Sequence, residues 1–309
     1  MSRIHEALKK AEQERAISQG GGLQSALDTA TVPNSPDFTG MPSPEPLAAA
    51  VESSMPAFGA PFSLDHLFAR CPQLEWKPDV STMLFMNGNE AMKGTEEYRT
   101  LRSRLYDLRE RMPLKTLMVT SALPKEGKSF TASNLAQVLA RQHGRRVLLI
   151  DADLRGPRLH LMLGTYATPG LSNYLQGQND EFSIMQRGPL ENLFFIPSGA
   201  AIEQPAELVG NGKLKTLVQR LEPLFDWIIV DSPPAVPVSD ASVLAKACDG
   251  VLLVVRSNGT PADVARKARQ EFPEQALVGI VLNGINNNHA SYARYYYETY
   301  ERNGSTTKI

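Results

Sequence analysis

Short runs of apolar, often β-branched residues alternate with longer amphipathic segments from about residue 89 to residue 290. Such runs are typical of buried strands, and the intervening segments have the length and periodicity of helices. We therefore predict an α/β fold with a doubly wound, mainly parallel sheet, whose ligand site lies at the carboxyl ends of the strands. The predicted strands are Thr116–Thr120, Arg146–Asp151, Trp227–Asp231, Val251–Val255 and Val278–Asn283. The predicted helices include Glu90–Arg111, Ser129–Gln142 and Pro261–Glu271.

The first 88 residues have a different pattern. In residues 1–18, Ile4 and Leu8 recur at helical spacing, which predicts a short amphipathic helix that either orders on a partner or frays. Proline, serine and glycine are frequent in residues 19–88 and large apolar residues are few, so we predict a disordered linker. The more apolar stretch Phe62–Phe85 leaves a second possibility open, which is loose packing on the domain or on a partner.

Charge and composition narrow the class of protein. The 309 residues include 32 basic and 33 acidic side chains, and a net charge of −1 gives no general attraction to nucleic acid. No apolar run approaches the roughly 20 residues that cross a bilayer. Cys71 and Cys248 lie far apart in the sequence, which does not favour a disulfide framework and indicates a reducing compartment. Neither has the partners of a metal or nucleophile motif, so we predict that both are structural. We predict a cytoplasmic protein that reaches a membrane only through a partner.

A loop with the sequence SALPKEGKS connects the first predicted strand to a helix. It fits the phosphate-binding pattern G-x-x-x-x-G-K-[ST], except that Ala122 replaces the first glycine. Backbone N–H groups of such a loop can surround phosphate oxygens, Lys128 would contact the β- and γ-phosphates, and the Ser129 hydroxyl would bind Mg²⁺. The pattern predicts a site for ATP and Mg²⁺; the alternative is a chance Gly-Lys-Ser before a helix. The predicted nucleotide-binding residues of the loop are Ala122, Leu123, Pro124, Lys125, Glu126, Gly127, Lys128, Ser129 and Phe130.

Aspartates end two of the predicted strands. Asp151 and Asp153 follow one buried run and Asp231 ends another, before Ser-Pro-Pro. Because Mg²⁺ prefers oxygen ligands and keeps several waters, one or two of these carboxylates suffice for a metal site. The alternative for the first pair is solvated loop aspartates. No G-x-G-x-x-G follows a strand, so the sequence does not predict a Rossmann dinucleotide site.

The phosphate-binding loop, the run Asp151-x-Asp153-x-Arg155-x-Pro157 and Asp231-x-Pro-Pro together resemble those of bacterial tyrosine kinases. These are the CpsD/CapB-type autokinases of exopolysaccharide synthesis, related to the MinD/ParA P-loop ATPases. The likeness covers roughly Glu90 to Tyr300, and the first 15 residues look like the leader of the membrane-free branch. Further matching segments are Glu96-x-x-Arg99-x-x-Arg102, Pro169–Ser172, Pro205–Leu208 and Ser239–Ala241.

The resemblance implies roles for several residues. Lys128, Asp151, Asp153 and Asp231 would be catalytic, with Ser129, Asp151 and Asp231 at the metal and Asp153 favoured to accept the phenolic proton. Asn283 matches an adenine-contacting position, although an asparagine in a turn before Gly284 is the alternative. Glu96, Arg99 and Arg102 match an oligomerisation motif of head-to-tail rings, although a solvated helix face would have the same pattern.

A cluster of tyrosines, SYARYYYETY, comes near the end of the sequence. In the resembled family such a cluster is the substrate of autophosphorylation, in trans. The alternative is a packing helix, because some of these tyrosines are four residues apart. The predicted phosphate acceptors are Tyr292, Tyr295, Tyr296, Tyr297 and Tyr300. The predicted parts of the chain are thus a helix (1–18), a linker (19–88), a kinase domain (89–290) and a tail (291–309).

Departures from the family pattern define the alternatives. Lys125 stands where relatives commonly have glycine, and its side chain either faces the phosphates or points to solvent. A MinD/ParA-like switch ATPase would have a lysine at the position of Leu123, and it has no evident use for a tyrosine tail. A nucleotide-binding scaffold without kinase activity is a further alternative. The resemblance also implies a separate integral-membrane activator of the chain-length regulator type.

Overall fold

The computed structural model describes residues 64–85 and 94–285. A seven-stranded sheet in the order β3-β4-β2-β5-β1-β6-β7 forms its centre, and all neighbouring strands are parallel except the β3–β4 pair. The strands are β1 (Thr116–Ser121), β2 (Val147–Asp151), β3 (Gln186–Arg187), β4 (Leu193–Ile196), β5 (Trp227–Asp231), β6 (Gly250–Arg256) and β7 (Leu277–Asn283). The helices of the described ranges are α1 (Leu64–Arg70), α2 (Thr95–Arg109), α3 (Lys128–Ala140), α4 (Leu159–Leu163), α5 (Leu171–Leu175), α6 (Pro205–Gly210), α7 (Lys213–Leu221), α8 (Asp240–Ala245) and α9 (Ala262–Gln270).

The predicted doubly wound sheet is confirmed. Each of the five predicted strands is present, with ends that differ by at most one residue. Apolar side chains of the central strands point alternately to two buried layers, for example Leu148 to one and Leu149 to the other. This two-sided burial explains why the strands are continuous apolar runs rather than alternating ones. The sequence analysis missed β3 and the short β4.

The prediction of a linker up to residue 88 is wrong for residues 64–85, and packing there is not loose. Leu67 is fully buried, and Trp76 packs edge-to-face on Phe195 with ring centroids 6.1 Å apart. The backbone N–H of Leu84 donates to Oδ1 of Asn134 on α3 at 2.8 Å. The linker prediction relied on average composition, whereas a few widely spaced apolar side chains dock this segment on the domain.

Leu67 offers a direct test of this docking. We expect Leu67→Ala to lower the free energy of unfolding by about 2–4 kcal/mol, because it leaves a cavity beside the sheet. Chemical denaturation followed by circular dichroism measures the change. Val80→Ala, at a side chain that is 64% exposed, is the control and should have little effect. Equal stability of the two variants would contradict the docking.

Some predicted features lie outside the described residues. These are the helix at 1–18, the linker as far as residue 63, and the tail tyrosines Tyr292, Tyr295, Tyr296, Tyr297 and Tyr300. Within the ranges that the structure describes, no helix has both the length and the apolar character needed to cross a membrane.

Candidate functional site

The predicted phosphate-binding loop runs from the end of β1 at Ser121 to the start of α3 at Lys128. Since β1 has parallel strands on both sides, the loop lies in the middle of the carboxyl edge of the sheet. Ala122, which replaces the first glycine of the pattern, is buried and does not have a positive φ. Alanine therefore fits this backbone, and the strand–loop–helix arrangement is one that favours phosphate binding.

Two residues of the loop have left-handed backbone conformations. Gly127 has a φ of 99°, and a Cβ atom there would lie 2.0 Å from Nδ2 of Asn283, so only glycine fits. Lys125 has a φ of 65°, which costs a non-glycine residue about 1 kcal/mol. This conformation explains why glycine is suited to that position. The Lys125 side chain is exposed.

Lys128 is surrounded by acidic and polar groups. Its Nζ atom lies 2.6 Å from Oδ2 of Asp153, 3.8 Å from Oδ1 of Asp231 and 3.2 Å from Oγ of Ser129. Burial on its own would lower the pKa of Lys128, but the charges of Asp231 and Asp153 outweigh it and raise the pKa. The ammonium group is therefore charged and held beside the carboxylates.

The two aspartates that end β2 and β5 are fully buried neighbours. Asp151 pairs with Asp231 in the register of the two strands. Burial raises the pKa of Asp151 well above its usual range, and the negative charge of Asp231 adds to the rise. Burial also raises the pKa of Asp231, and the nearby Lys128 ammonium offsets this only in part. The site thus contains more negative charge than Lys128 neutralises.

Several oxygens of these two carboxylates accept no hydrogen bond from the described residues. Oδ2 of Asp151 accepts a bond from the backbone N–H of Leu159 at 3.1 Å, but its Oδ1 and both carboxylate oxygens of Asp231 accept none from the described residues. Buried oxygens without donors are suited to a cation. Among the same residues, no group of three or more His, Cys, Asp or Glu side chains forms a metal site. Mg²⁺ held by one or two carboxylates, a hydroxyl, phosphates and water fits this arrangement.

The loop after β2 is held by an ion pair that the sequence analysis did not assign. Nε and Nη2 of Arg155 donate to the two carboxylate oxygens of Asp240 at 2.7 and 3.1 Å. Oδ1 of Asp153 accepts a bond from the N–H of Gly156 at 3.0 Å, so the loop also orients this carboxylate. The resemblance singled out the segment Ser239–Ala241, which contains Asp240, but the sequence did not indicate that Asp240 contacts Arg155.

A cavity of about 590 Å³ opens beside the same loop. Leu154 and Arg155, which directly follow Asp153, form part of one wall. Ala167 and Thr168, together with residues after β4 and at the start of α6, form other parts of the lining. Ile202 and Pro205 contribute apolar surface. The cavity is large enough for an aromatic side chain with its neighbouring residues.

The other predicted site residues are in two places. Asn283 ends β7, and its Nδ2 donates to the carbonyl oxygen of Glu126 in the loop at 2.9 Å. On α2, Arg99 forms an ion pair with Glu96, and Nη1 of Arg102 donates to the carbonyl oxygen of Val138 at 3.2 Å. The site therefore brings together the loop, the three aspartates and Asn283, while the α2 residues have partners within the chain.

The fold and the loop at its carboxyl edge define a P-loop nucleotide-binding domain. In agreement, residues 125–261 match the model of an AAA domain family, AAA_31. A curated relative, tyrosine-protein kinase YwqD of Bacillus subtilis, is 36% identical over 204 residues, which are 65% of this chain and 86% of the relative. The chain belongs to the family of bacterial tyrosine-protein kinases.

Solved structures agree with this assignment. The kinase domain of the Escherichia coli tyrosine kinase ETK is 31% identical, with a TM-score of 0.63 over 68% of this chain and 82% of that chain. The septum site-determining protein MinD of Pyrococcus horikoshii, solved with Mg-ADP, is 22% identical with a TM-score of 0.50, and covers 57% of this chain and 72% of that chain. The second likeness shows the fold alone.

Proposed function

We propose that this chain is an ATP- and Mg²⁺-dependent protein-tyrosine autokinase that phosphorylates its own tyrosine-rich tail. The observation that carries the proposal is the position of Lys128, which lies in the phosphate-binding loop and contacts Asp153 at 2.6 Å. The side chain predicted to bind phosphate, Lys128, is therefore in direct contact with Asp153, the proposed proton acceptor. The tail tyrosines and the relatives that are tyrosine kinases support the kinase over a switch ATPase or a scaffold.

ATP binding would change the partner of Lys128. Before the nucleotide binds, the ammonium group is paired with Asp153 and its charge is partly neutralised. The γ-phosphate carries more negative charge than one carboxylate, so Lys128 would turn towards it. This leaves Asp153 free to accept a proton, so the proposed base becomes available only when the phosphoryl donor is bound.

The transfer itself needs a deprotonated tyrosine. A free phenol has a pKa near 10, so it needs a positioned base at neutral pH. In the proposed step, the phenolic proton passes to Asp153, the phenolic oxygen forms a bond to the γ-phosphorus, and the bond from that phosphorus to the β-phosphate oxygen breaks. ADP leaves with the electron pair of that bond. Lys128 neutralises the charge that develops on the phosphate oxygens, which is where most of this catalysis arises.

Ser129, Asp151 and Asp231 would hold the metal ion. When bound, Mg²⁺ would supply positive charge to the β- and γ-phosphates. The oxygens of Asp151 and Asp231 that lack donors support this assignment. The cavity next to Asp153 is the proposed approach for the acceptor tyrosine, whose ring would lie along Leu154 and Ile202.

Partners and cellular role follow from the family resemblance. We propose transfer in trans within a head-to-tail ring, with Glu96, Arg99 and Arg102 at the subunit contact and Asn283 near the adenine. A separate integral-membrane activator would bring the kinase to the inner face of the membrane, where it would regulate exopolysaccharide synthesis and export.

Mass spectrometry of the tail peptide tests the proposal. After incubation with Mg-ATP, we expect phosphate on at least one tyrosine between Tyr292 and Tyr300. A variant with the five tail tyrosines changed to phenylalanine is the control for other phosphorylated sites. If the tail remained unmodified even with a cytoplasmic fragment of the activator, while ATP was hydrolysed, the switch ATPase would replace the kinase proposal.

A further inference from the structure

The turn between β6 and α9 lies against the phosphate-binding loop. Nη1 of Arg256 donates to the carbonyl oxygen of Lys125 at 3.1 Å. The hydroxyl of Thr260 donates to Oε1 of Glu126. The turn is closed by a bond from the N–H of Arg256 to Oγ1 of Thr260 at 3.0 Å and one from the N–H of Thr260 to the carbonyl oxygen of Arg256 at 3.1 Å. Both contacts therefore come from one closed turn.

The end of β7 adds a third contact to the same part of the loop. Nδ2 of Asn283 donates to the carbonyl oxygen of Glu126 at 2.9 Å, and the carbonyl oxygen of Asn283 accepts from the N–H of Ser257 at 2.8 Å. Glu126 is buried, and its carboxylate also accepts a hydrogen bond from the N–H of Leu123 at 2.9 Å. Two elements distant in sequence thus fix consecutive residues of the loop.

These contacts determine where the loop amides point. In a trans peptide unit the C=O of one residue and the N–H of the next point in opposite directions. With the carbonyl of Lys125 facing Arg256, the N–H of Glu126 faces the other way. With the carbonyl of Glu126 facing Asn283, the same holds for the N–H of Gly127. The contacts with Arg256 and Asn283 therefore leave the successive N–H groups of Glu126 and Gly127 pointing to the opposite side of the loop. Successive N–H groups of this kind form the backbone nests that bind anions.

The contacts also act where the loop is strained. Lys125 is in the left-handed region at a φ of 65°, which a lysine adopts less readily than a glycine. The bond from Arg256 holds the carbonyl of this same residue in place. Without that bond, we expect the peptide unit after Lys125 to relax, which would turn the N–H of Glu126 away from a bound phosphate.

We propose that Arg256 and Thr260 are positioning residues of the nucleotide site, which hold the loop in its phosphate-binding form despite a lysine at position 125. This inference rests on the proposed function, because it takes the loop as the phosphate site. Neither residue contacts the nucleotide in the proposal; they act through Lys125 and Glu126. Their loss should weaken ATP binding without slowing transfer once ATP is bound.

Nucleotide titration of the full chain tests the proposal. We expect Arg256→Met and Thr260→Val to raise the Kd for Mg-ATP, and the KM, by roughly tenfold, the usual effect of losing one hydrogen bond that involves a charged group. The kcat at saturating ATP should stay within about twofold. Arg266→Met, at an exposed arginine of α9, is the matched control and should bind like the wild type.

A second substitution separates positioning from general stability. Glycine adopts the left-handed conformation without strain, so Lys125→Gly should restore most of the affinity lost in Arg256→Met. A merely structural role would instead lower the melting temperature of the nucleotide-free protein and would not be corrected by Lys125→Gly. Unchanged affinity in both single variants, or a failure of this rescue, would overturn the proposal. If the wild-type chain itself did not bind Mg-ATP, the proposed function would fall, and this inference with it.

Discussion

Replacing Lys128 with alanine is expected to remove phosphorylation of the tail tyrosines. The substitution takes away the only positive charge within 4 Å of Asp153 and Asp231 in the described part of the chain. It also takes away the group that would neutralise the transferred phosphoryl group. Because charge stabilisation of this kind supplies most of the rate in phosphoryl transfer, we expect a loss of roughly a thousandfold or more.

Phosphotyrosine in the peptide containing Tyr292–Tyr300 is the quantity to measure over time. Lys267→Ala, at an exposed lysine of α9, is the control and should be labelled at the wild-type rate. Circular dichroism should show that the Lys128 variant retains its fold, since the carboxylates around it can take up protons. Labelling of Lys128→Ala at the wild-type rate would rule out the mechanism proposed above.

The same variant distinguishes transfer in trans from transfer in cis. Chains with Lys128→Ala retain their tail, and active chains with phenylalanine at the five tail positions retain their site. If transfer occurs between chains, a mixture of the two should carry phosphate on the Lys128→Ala tails. Labelling of wild-type chains combined with none in the mixture would show that each chain modifies only itself.

The sequence was sufficient for the sheet and for much of the site because both follow from local pattern. Strands buried on both faces are continuous apolar runs, and residues that end such strands meet at one edge. On this basis the sequence alone predicts that Lys128, Asp151, Asp153 and Asp231 lie together. In the structure Lys128 lies beside Asp153 and Asp231, and Asp151 pairs with Asp231 in the register of the two strands.

What could not be predicted depends on contacts between distant segments. Thr260 and Arg256 belong to a polar turn without a motif, and only the fold brings them to the phosphate-binding loop. Trp76 lies in a stretch whose average composition is that of a linker, yet it packs on β4. In each case a single side chain, rather than a periodic pattern, makes the contact.

The second large effect is expected at Asp151, where Asp151→Asn should stabilise the nucleotide-free protein and remove most of its activity. Asp151, Asp153 and Asp231 surround one lysine, so the cluster has an excess of negative charge in a buried place. Asparagine has nearly the same shape and its Oδ1 can still accept the bond from Leu159. At pH 7 we expect a gain of about 1–2 kcal/mol in the free energy of unfolding.

The pH dependence follows from the direction of the pKa shift. The pKa of Asp151 is raised in the folded chain, so the folded state holds a proton that the unfolded state has already released. Stability contributed by the protonated group is therefore present at low pH and is lost as pH rises through and above the unfolded pKa. The advantage of the asparagine variant should grow as pH rises above the unfolded pKa of about 4, and it should vanish as pH falls towards that value.

Unfolding of both proteins across this pH range, with and without Mg-ATP, is the decisive measurement. Asp107→Asn, at an exposed aspartate of α2, is the control and should follow the wild type at every pH. Mg-ATP should stabilise the wild type and should stabilise Asp151→Asn much less, while tail phosphorylation falls roughly a hundredfold or more. If the variant were less stable than the wild type at pH 8, the excess charge would not be destabilising. A variant that is more stable but inactive would instead mean that Asp151 is needed to bind the metal and the phosphates. Its buried carboxylate would then lower the free energy of unfolding of the nucleotide-free protein.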